Sequence, residues 1–294
     1  MPVAIVTGAS RGLGLATARA LAGQDWSVAA DARHGAQLRD ALRGLPASRV
    51  VAVPGDVTDA GHRAALVAAA RALGPIALLM NNASHLGPSP QPGLADYPEP
   101  DLAAVYEVNV LAPVALTRLV ISELLGAGGT VINVSSDAAV EAYGGWGGYG
   151  SSKAALDQVS AILGVEHPAL RVYALDPGDM RTDMHQQAFP GEDISDRPEP
   201  ATVVPAVLRL LRDRPPSGRY RASDLLAAGP TDAGSPDAGS PGNRPAGAGS
   251  PGNGPPDAGS PGNGPAGAGP PDAGSPGNGP AGARAVTAEA VRWS

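Results

Sequence analysis

Short apolar runs alternate with longer amphipathic stretches over roughly the first 228 residues, and most apolar runs end in glycine or polar residues. Such runs are typical of buried strands, whereas apolar positions spaced by three or four residues are typical of helices. The runs predict strands at 3–7, 26–32, 50–53, 76–80, 131–134, 170–175 and 218–221. Strands that alternate with helices predict an α/β fold, a Rossmann-type doubly wound parallel sheet of about seven strands with helices on both faces.

Helical spacing connects these strands. It predicts helices at 15–21, 60–73, 101–125, 150–165 and 202–211. Pro113 lies inside the longest helix and predicts a kink or a freed carbonyl group. Between the helices, residues 87–100 form a proline-rich stretch that predicts a surface loop. The polar segment 184–200 predicts a mobile lid over a substrate.

The composition changes near residue 229 and divides the chain into two parts. Residues 1–228 are enough for one catalytic domain with a sizeable core. From Gly229 to Ala283 the chain is mostly Ala, Gly, Pro, Ser, Asp and Asn, without the strict glycine period of collagen. With little to bury, the whole tail, 229–294, is predicted to be disordered, apart from a weak helical turn at 286–293.

The first strand runs into a glycine-rich turn with the spacing T-G-x-x-x-G-x-G, which begins at Thr7 and ends at Gly14. Strand, glycine turn and helix in this order predict a dinucleotide-binding βαβ unit. Glycines let the backbone approach a pyrophosphate, whose charge the helix N-terminus favours. A bare glycine turn can also be a simple flexible loop, and its place between a strand and a helix favours the nucleotide site.

The end of the second strand bears on which dinucleotide binds. Ala32 occupies the place where an acidic residue would accept the ribose hydroxyls, and Arg33 after it could meet a 2′-phosphate. Arg11, inside the glycine turn, adds a second cation on the same side. These residues favour NADP(H) over NAD(H), while Asp31 leaves the opposite interpretation open.

Polar residues follow the next two strands. Asp56 and Val57 come after the third strand and could cap an adenine amino group, although an Asp there is more often an N-cap. Asp59 is the better candidate for that cap. Asparagine occurs within the first 228 residues only at positions 81, 82, 109 and 133, each at or beside a proposed site.

The fifth strand ends in hydroxyl residues at Ser136, and a tyrosine and a lysine follow at i and i+4 of a helix, Tyr149 and Lys153. These two side chains share one helix face, where an ammonium should favour phenolate and lower the tyrosine pKa. The pair is a plausible proton donor to a carbonyl oxygen, with Ser136 as its partner. A Y-x-x-x-K pattern alone also describes an exposed lysine, but Lys153 is the only lysine in the chain.

Composition excludes several classes of function. The chain has no cysteine, and its five histidines lack ligand spacing, so no metal site is expected. A net charge of −7 argues against nucleic acid as the main partner. The opening Met-Pro-Val-Ala-Ile-Val is already a strand, which leaves no room for a signal peptide, and no apolar run approaches the ~20 residues of a membrane span. We therefore expect a soluble, cytoplasmic protein with no membrane partner.

Taken together, these motifs resemble the short-chain dehydrogenase/reductase family over roughly residues 2–228. The matching positions are Thr7-Gly8-x-x-x-Gly12-x-Gly14, Asp56-Val57, Asn81-Asn82-Ala83, Asn109, Ser136, Tyr149-x-x-x-Lys153 and Pro177-Gly178 with Thr182. The resemblance implies a catalytic set of Asn109, Ser136, Tyr149 and Lys153. It implies a cofactor site made of Thr7, Gly8, Ser10, Arg11, Gly12, Leu13, Gly14, Arg33, Asp56, Val57, Asn82, Ala83, Ser84, Tyr149, Lys153, Pro177, Gly178, Met180 and Thr182.

By this resemblance the protein is an NADP(H)-dependent oxidoreductase that acts on a small or medium carbonyl or secondary alcohol. Tyr149 is the general acid or base, Lys153 lowers its pKa and holds the nicotinamide ribose, Ser136 binds the substrate oxygen, and Asn109 supports a water on the proton path. The alternative is a sensor or scaffold that binds NADP(H) without turnover. The residues that could line the substrate pocket are His85, Tyr143, Trp146, Met180, Met184 and His185, although the aromatic ones could equally be ordinary packing residues.

The sequence departs from the family pattern at two places. Ser84 stands where glycine usually follows Asn-Asn-Ala, so the backbone beside the cofactor can differ. The usual glycine-rich C-terminal ending is replaced by Arg219-Tyr-Arg221 and the tail. The resemblance implies a homodimer through the helices that carry Asn109 and Lys153, or a homotetramer, and the altered ending weakens only the tetramer.

Overall fold

The computed structural model describes residues 1–228, and within them the strands form one seven-stranded sheet in the order β3-β2-β1-β4-β5-β6-β7. Every neighbouring pair is parallel. The strands are β1 (Val3–Val6), β2 (Ser27–Ala32), β3 (Val50–Pro54), β4 (Ile76–Asn81), β5 (Thr130–Val134), β6 (Arg171–Asp176) and β7 (Gly218–Arg221). The predicted fold class is confirmed. The predictions for the tail, 229–294, lie outside the described residues.

Helices cover both faces of the sheet. They are α1 (Gly12–Ala22), α2 (Gly35–Ala41), α3 (Ala60–Leu73), α4 (Glu99–Tyr106), α5 (Ala112–Ala127), α6 (Gly147–Glu166), α7 (Asp183–Ala188), α8 (Val204–Asp213) and α9 (Ala222–Ala227). The sequence did not predict α2, α7 or α9, each of six or seven residues, because so short a segment carries too few turns to display a period. Helix α7 lies inside the segment that was predicted to be a lid.

Two apolar cores lie on opposite faces of the sheet. Val6 packs in the core that includes Leu21 of α1 and Leu210 of α8. Its neighbour Ile5 packs on the opposite face, in the core that includes Leu116 of α5. Because strands of a parallel sheet are buried on both faces, they are continuous apolar runs without alternation. Each such buried side chain contributes on the order of 1.5–3 kcal/mol, which makes the sheet a rigid platform for the loops at its carboxyl edge.

The predicted helix over 101–125 is interrupted where Pro113 indicated an irregularity. A π-helical segment, Glu107–Leu111, joins α4 to α5 and contains Asn109. Proline has no N–H for the helical ladder, and its ring crowds the carbonyl four residues earlier, which is that of Asn109. The stretch Glu99–Ala127 is long and apolar enough for a membrane span by length and composition alone. It packs against the sheet through Leu116 and Val120, as a core helix also does.

Candidate active site

A cavity of about 820 Å³ opens at the carboxyl edge of the sheet, where the loops after β1, β4, β5 and β6 converge. It brings the predicted cofactor-binding and catalytic residues together, with three exceptions. Thr7, Gly14 and Asn109 do not line the cavity. Thr7 and Asn109 are almost completely buried behind its wall, so these three residues act on the site through other groups.

The glycine turn after β1 needs its glycines for steric reasons. Gly8 has φ +66°, in the left-handed region, and a Cβ there would lie 2.9 Å from Ala83 Cα. A Cβ on Gly14 would lie 2.5 Å from Asn82 Nδ2 and 2.6 Å from the Gly8 carbonyl oxygen. The bare backbone therefore forms a concave wall at the start of α1, where amide groups point toward the space that a pyrophosphate would fill.

Thr7 and Asn82 join the end of β1 to the end of β4. The Asn82 side-chain amide donates to the carbonyl oxygens of Thr7 and Gly8 at 2.8 and 3.2 Å. The backbone N–H groups of Asn82 and Ala83 both donate to Thr7 Oγ1 at 2.9 Å. These bonds fix the glycine turn against the β4 loop, so Thr7 shapes the cofactor site from behind.

The Asp31 carboxylate is bound by other groups of the protein. It accepts from the Gly8 backbone N–H at 2.9 Å and contacts His62 Nε2 at 3.0 Å, and Asp31 is 1% exposed. Burial raises the pKa of Asp31, against the lowering by His62 and Gly8. The carboxylate braces the glycine turn from within the fold, which removes the main reason for expecting it at a ribose.

Arg33, in contrast, is exposed and lines the cavity. Asp56 lies near it, and the side chain of Asp56 accepts from both the N–H and the hydroxyl of Thr58. Burial would raise the pKa of Asp56, but the bonds from Thr58 and the charge of Arg33 outweigh it and lower that pKa. Asp59, as predicted, caps α3 by accepting from the His62 N–H at 2.6 Å.

Tyr149 and Lys153 lie on one face of α6, as the spacing predicted, and the lysine nitrogen is 5.5 Å from the centre of the Tyr149 ring. Lys153 is 1% exposed and donates to the Val134 carbonyl oxygen at 2.7 Å. Ser136, directly after β5, lines the same cavity; its hydroxyl donates to Asp137 Oδ1 at 2.9 Å and accepts from the Ala138 N–H. A phenol, an ammonium and a hydroxyl therefore meet at the cavity floor.

The expectation of a lowered Tyr149 pKa is wrong. Burial raises the pKa of Tyr149 to about 12, although hydrogen bonding with Ser84 and Ser136 opposes the rise. Burial also lowers the pKa of Lys153 to about 8, so the ammonium itself is only partly charged at mildly alkaline pH. Burial favours the neutral phenol of Tyr149. This effect outweighs the charge of Lys153, whose ammonium points toward a backbone carbonyl.

Asn109 holds together three segments around Tyr149. Its amide donates to the His85 carbonyl oxygen and to Ser152 Oγ, each at 2.9 Å. Its carbonyl oxygen accepts from the His85 N–H at 2.8 Å and from Ser84 Oγ at 3.1 Å. Ser84, which replaces the usual glycine, is thereby fixed beside Tyr149. The Asn109 side chain is fully used for positioning, and its irregular backbone lies in the π-helical segment.

The loop after β6 forms the wall opposite the glycine turn. Asp176 Oδ1 accepts from the Gly178 N–H at 3.0 Å, and Gly178 has φ +71°. Thr182 caps α7 by accepting from the His185 N–H at 3.1 Å. Asp183, at the start of α7, forms an ion pair with Arg11 of the glycine turn. This contact joins the start of α7 to the glycine turn, and it occupies one of the two cations predicted to meet a 2′-phosphate.

Apolar and aromatic side chains surround the mouth of the cavity beyond Tyr149. Trp146 packs edge-on against Tyr149 and at a tilt against Phe189, with ring centres 5.8 Å apart in both pairs. The predicted pocket residues that line the cavity are His85, Trp146, Met180, Met184 and His185. Tyr143 does not line it; its hydroxyl donates to Asp137 and Glu141 on the outside of the loop.

Sequence reasoning missed a charged cluster beneath the catalytic residues. Arg219 of β7 is buried and pairs with Asp157 of α6 and with Asp176. Its guanidinium also donates to the carbonyl oxygen of Ser136 at 3.0 Å. The available signal was the pair of arginines in the predicted strand at 218–221, Arg219 and Arg221. Within residues 1–228 no group of acidic, histidine or cysteine side chains could hold a metal ion.

Comparison with known proteins gives a consistent assignment. The family model for short chain dehydrogenases matches residues 2–193. An uncharacterised oxidoreductase of Schizosaccharomyces pombe is 31% identical over 65% of this chain and 78% of its own length. Sepiapterin reductase of Meriones unguiculatus is 34% identical over 63% of this chain and 77% of its own.

Among solved structures, an alcohol dehydrogenase from the archaeon Thermococcus sibiricus, complexed with 5-hydroxy-NADP, superposes with a TM-score of 0.67. The two sequences are 27% identical, and the match covers 75% of this chain and 95% of the other. The family match over residues 2–193 includes the glycine turn and the helix that carries Tyr149 and Lys153. The protein is an oxidoreductase that belongs to the short-chain dehydrogenase family.

Proposed function

We propose that this protein is an NADP(H)-dependent oxidoreductase that interconverts a small or medium carbonyl and its secondary alcohol. The observation that carries the proposal is the placement of Tyr149, Lys153 and Ser136 on the floor of one cavity whose far end is the glycine turn. A dinucleotide of ordinary length would reach from that turn to the tyrosine. The cofactor would supply the hydride, and the residues of this chain would deliver the proton.

Tyr149 is the proposed general acid in reduction and base in oxidation. Burial raises the pKa of Tyr149 to about 12, so the phenol is protonated at neutral pH and carries the proton that reduction of a carbonyl requires. The Ser136 hydroxyl would hold the same oxygen and orient it. Lys153 would hold ribose hydroxyls, and its positive charge would stabilise the phenolate that remains when Tyr149 gives its proton to the carbonyl oxygen. Asn109 would support a water that extends the proton path from Lys153.

The cofactor preference rests on three side chains. Arg33 is exposed in the cavity and, within residues 1–228, forms no ion pair, so a 2′-phosphate can take its charge. The Asp31 carboxylate is held by the Gly8 N–H and by His62 instead. Ala32 leaves the place of a ribose-binding carboxylate empty. An NADP analogue in the archaeal relative supports the same choice of NADP(H) over NAD(H).

The cavity mouth supports a substrate with an apolar or aromatic body. Trp146, Met180, Met184, Leu86 and Ala188 line it, and they offer few polar partners beyond the histidines. A carbonyl group at Tyr149 would place the rest of the substrate against these side chains. The similarity to sepiapterin reductase supports a reductase activity for this site.

The test is loss of NADPH absorbance with purified protein and a panel of aldehydes, alkyl ketones and aryl ketones. Tyr149→Phe is expected to lower kcat by a factor of about 10²–10⁴, the usual contribution of a positioned general acid, while NADPH still binds. Tyr143→Phe is the matched control, because that phenol lies outside the cavity. Binding of NADPH without turnover of any substrate would instead support the sensor or scaffold alternative.

We also propose a homodimer through the α5 and α6 surfaces and a cytoplasmic location. Large apolar side chains are exposed on these helices, among them Leu111 just before α5, Leu119, Ile162 and Val165, which is 79% exposed. Contiguous exposed apolar surface is typical of an interface. Light scattering after gel filtration measures the mass directly, and a monomer would contradict the dimer.

A further inference from the structure

The charged cluster under the active site has no part in the proton transfer proposed above, and it rests on one arginine. We propose that Arg219 is a positioning residue for the reaction: it fixes Ser136 and the loop after β6, and it compensates the carboxylates beside Lys153. Of the two arms of the test, the titration of Lys153 is independent of turnover, and the kinetic arm rests on the proposed function.

Three elements converge on this one guanidinium. Nε of Arg219 donates to Asp157 Oδ2 at 3.0 Å, which ties β7 to α6. Nη2 donates to Asp176 Oδ2 at 2.9 Å, at the end of β6. The same Nη2 donates to the carbonyl oxygen of Ser136 at 3.0 Å, after β5. A planar guanidinium carries its donors on separate nitrogens and can bridge acceptors that lie apart, whereas the three donors of a lysine ammonium sit on one nitrogen.

These contacts act directly on groups of the active site. The hydrogen bond from Arg219 to the Ser136 carbonyl oxygen fixes the backbone of Ser136. The side-chain hydroxyl of the same residue lines the cavity. The other oxygen of Asp176 accepts from the Gly178 N–H, so its pairing with Arg219 also sets the start of the loop that faces the nicotinamide end of the cavity. The position of Arg219 therefore affects both the Ser136 hydroxyl, which is proposed to bind the substrate oxygen, and the loop after β6, which is proposed to face the cofactor.

The cluster also sets the charge around Lys153. Asp157 lies one turn after Lys153 on α6 and raises the lysine pKa, while burial lowers it. Burial raises the pKa of Asp157 itself, and Ser135 and the charge of Arg219 oppose that rise. The other charged groups near the site are Asp137 and Asp176, both of which raise the Tyr149 pKa. Arg219 pairs directly with Asp157 and Asp176, and Lys153 also lowers the Asp157 pKa, so removal of Arg219 leaves Lys153 as the remaining cation beside Asp157.

The first arm of the test uses the fact that Lys153 is the only lysine in the chain. Protein labelled with ¹³C-lysine gives a single side-chain signal, whose shift with pH reports the Lys153 pKa without any substrate. In Arg219→Met that pKa is expected to rise by about one pH unit, because a nearby cation is lost and Asp157 becomes unpaired. Adding Asp157→Asn to Arg219→Met should bring it back to the wild-type value or lower.

The second arm is kinetic. Arg219→Met is expected to lower kcat by about 10- to 100-fold, the cost of a misplaced reacting group, with little change in the KM of the carbonyl substrate. Arg219→Lys keeps a charge without the fork and should recover thermal stability more than kcat; it is left out of the NMR experiment because it adds a second lysine. Arg221→Met, two residues along the same strand and half exposed, is the matched control.

An Arg219→Met protein that melts earlier but keeps the wild-type kcat and Lys153 titration would overturn the proposal, because the arginine would then be purely structural. If that variant does not fold, Arg219→Gln retains an amide donor for the Ser136 carbonyl and is expected to raise the Lys153 pKa in the same direction. Wild-type protein without turnover would refute the proposed function alone, and the titration of Lys153 would still decide the role of Arg219.

Discussion

The side-chain nitrogen of Lys153 donates to the Val134 carbonyl oxygen at 2.7 Å, while it lies 5.5 Å from the centre of the Tyr149 ring. The lysine is thus held by the end of β5 and not by the phenol. That partner is a backbone group, which offers no negative charge. Burial therefore dominates the ionisation of both residues: it keeps the Tyr149 phenol neutral, and it favours loss of the Lys153 proton above a pH of about 8.

This relationship predicts how stability depends on pH. Burial lowers the folded-state pKa of Lys153 to about 8, against about 10.4 in an unfolded chain, so holding the ammonium costs about 3 kcal/mol. That cost is fully present below pH 8 and disappears as the pH rises to the unfolded pKa. Relative to Lys153→Met, which does not titrate, the wild type should gain about 3 kcal/mol of unfolding free energy over this window. Urea unfolding of both proteins at several pH values measures it.

Lys153→Met also removes the hydrogen bond to Val134, and that loss is the same at every pH. The pH-dependent part of the difference between the two proteins therefore isolates the ionisation. A constant difference between pH 7 and 10.5 would mean that Lys153 keeps an ordinary pKa in the fold.

Local patterns were enough to predict much of the fold and the site. Tyr149 and Lys153 share a helix face by spacing alone, and Ser136 ends an apolar run that could only be a strand. The glycine turn lies between two such elements. In a parallel sheet the ends of strands meet at one edge, so these separate signals had to converge there.

Contacts between distant segments could not be predicted in this way. The bonds of Arg219 to Asp157 and Asp176 depend on β7 lying beside β6 with a register that turns this side chain toward α6. Whether Asp31 faces a ribose or Gly8 depends on the register of β2 and on His62 from α3. Likewise the Tyr149 pKa follows from burial, and only the folded environment determines how completely a side chain is buried.

Arg33 is expected to decide the choice of cofactor. Replacing it with alanine should weaken NADPH binding by about 10- to 100-fold, the cost of one charge-assisted contact to the 2′-phosphate. NADH binding should stay within about twofold, because NADH lacks that phosphate. Fluorescence titration with both cofactors measures the two dissociation constants. Arg39→Ala, an exposed arginine on α2 outside the cavity, is the control, and equal losses for both cofactors would refute the assignment.

Gly14→Ala is expected to abolish dinucleotide binding. Its Cβ would meet Asn82 Nδ2 at 2.5 Å and the Gly8 carbonyl oxygen at 2.6 Å, so the glycine turn must open. Overpacking of this kind costs about 1–3 kcal/mol of unfolding free energy. Calorimetry with and without NADPH gives both the loss of stability and the loss of the stabilising effect of the ligand.

The matched control for that change is Gly126→Ala in α5. A Cβ at Gly126 meets nothing within 4 Å, and the residue lies within a helix. Alanine there should raise the unfolding free energy by about 0.5–1 kcal/mol and leave NADPH binding intact. Two glycine-to-alanine changes in helices should therefore have opposite effects on stability, and equal effects would show that contact with Asn82 is unimportant.

Trp146 is expected to set the preference for bulky substrates. Its ring packs at 5.8 Å from both Tyr149 and Phe189 and forms one side of the cavity mouth. If an aryl ketone stacks there, Trp146→Ala should raise its KM by about tenfold, since an aromatic pair contributes about 0.5–1.5 kcal/mol beyond the area that it buries. The KM of a small alkyl ketone should change much less, because such a ketone reaches only the floor of the cavity.

Two comparisons separate substrate contact from damage to the catalytic group. Trp146→Phe keeps a ring against Tyr149 and should retain most of the preference for aryl ketones. Tyr143→Phe removes a hydroxyl that lies outside the cavity but keeps the ring that packs 6.2 Å from Trp146, so it should leave both KM values unchanged. An equal fall in kcat for large and small ketones in Trp146→Ala would mean that the ring only supports Tyr149, since loss of a substrate contact must depend on the size of the substrate.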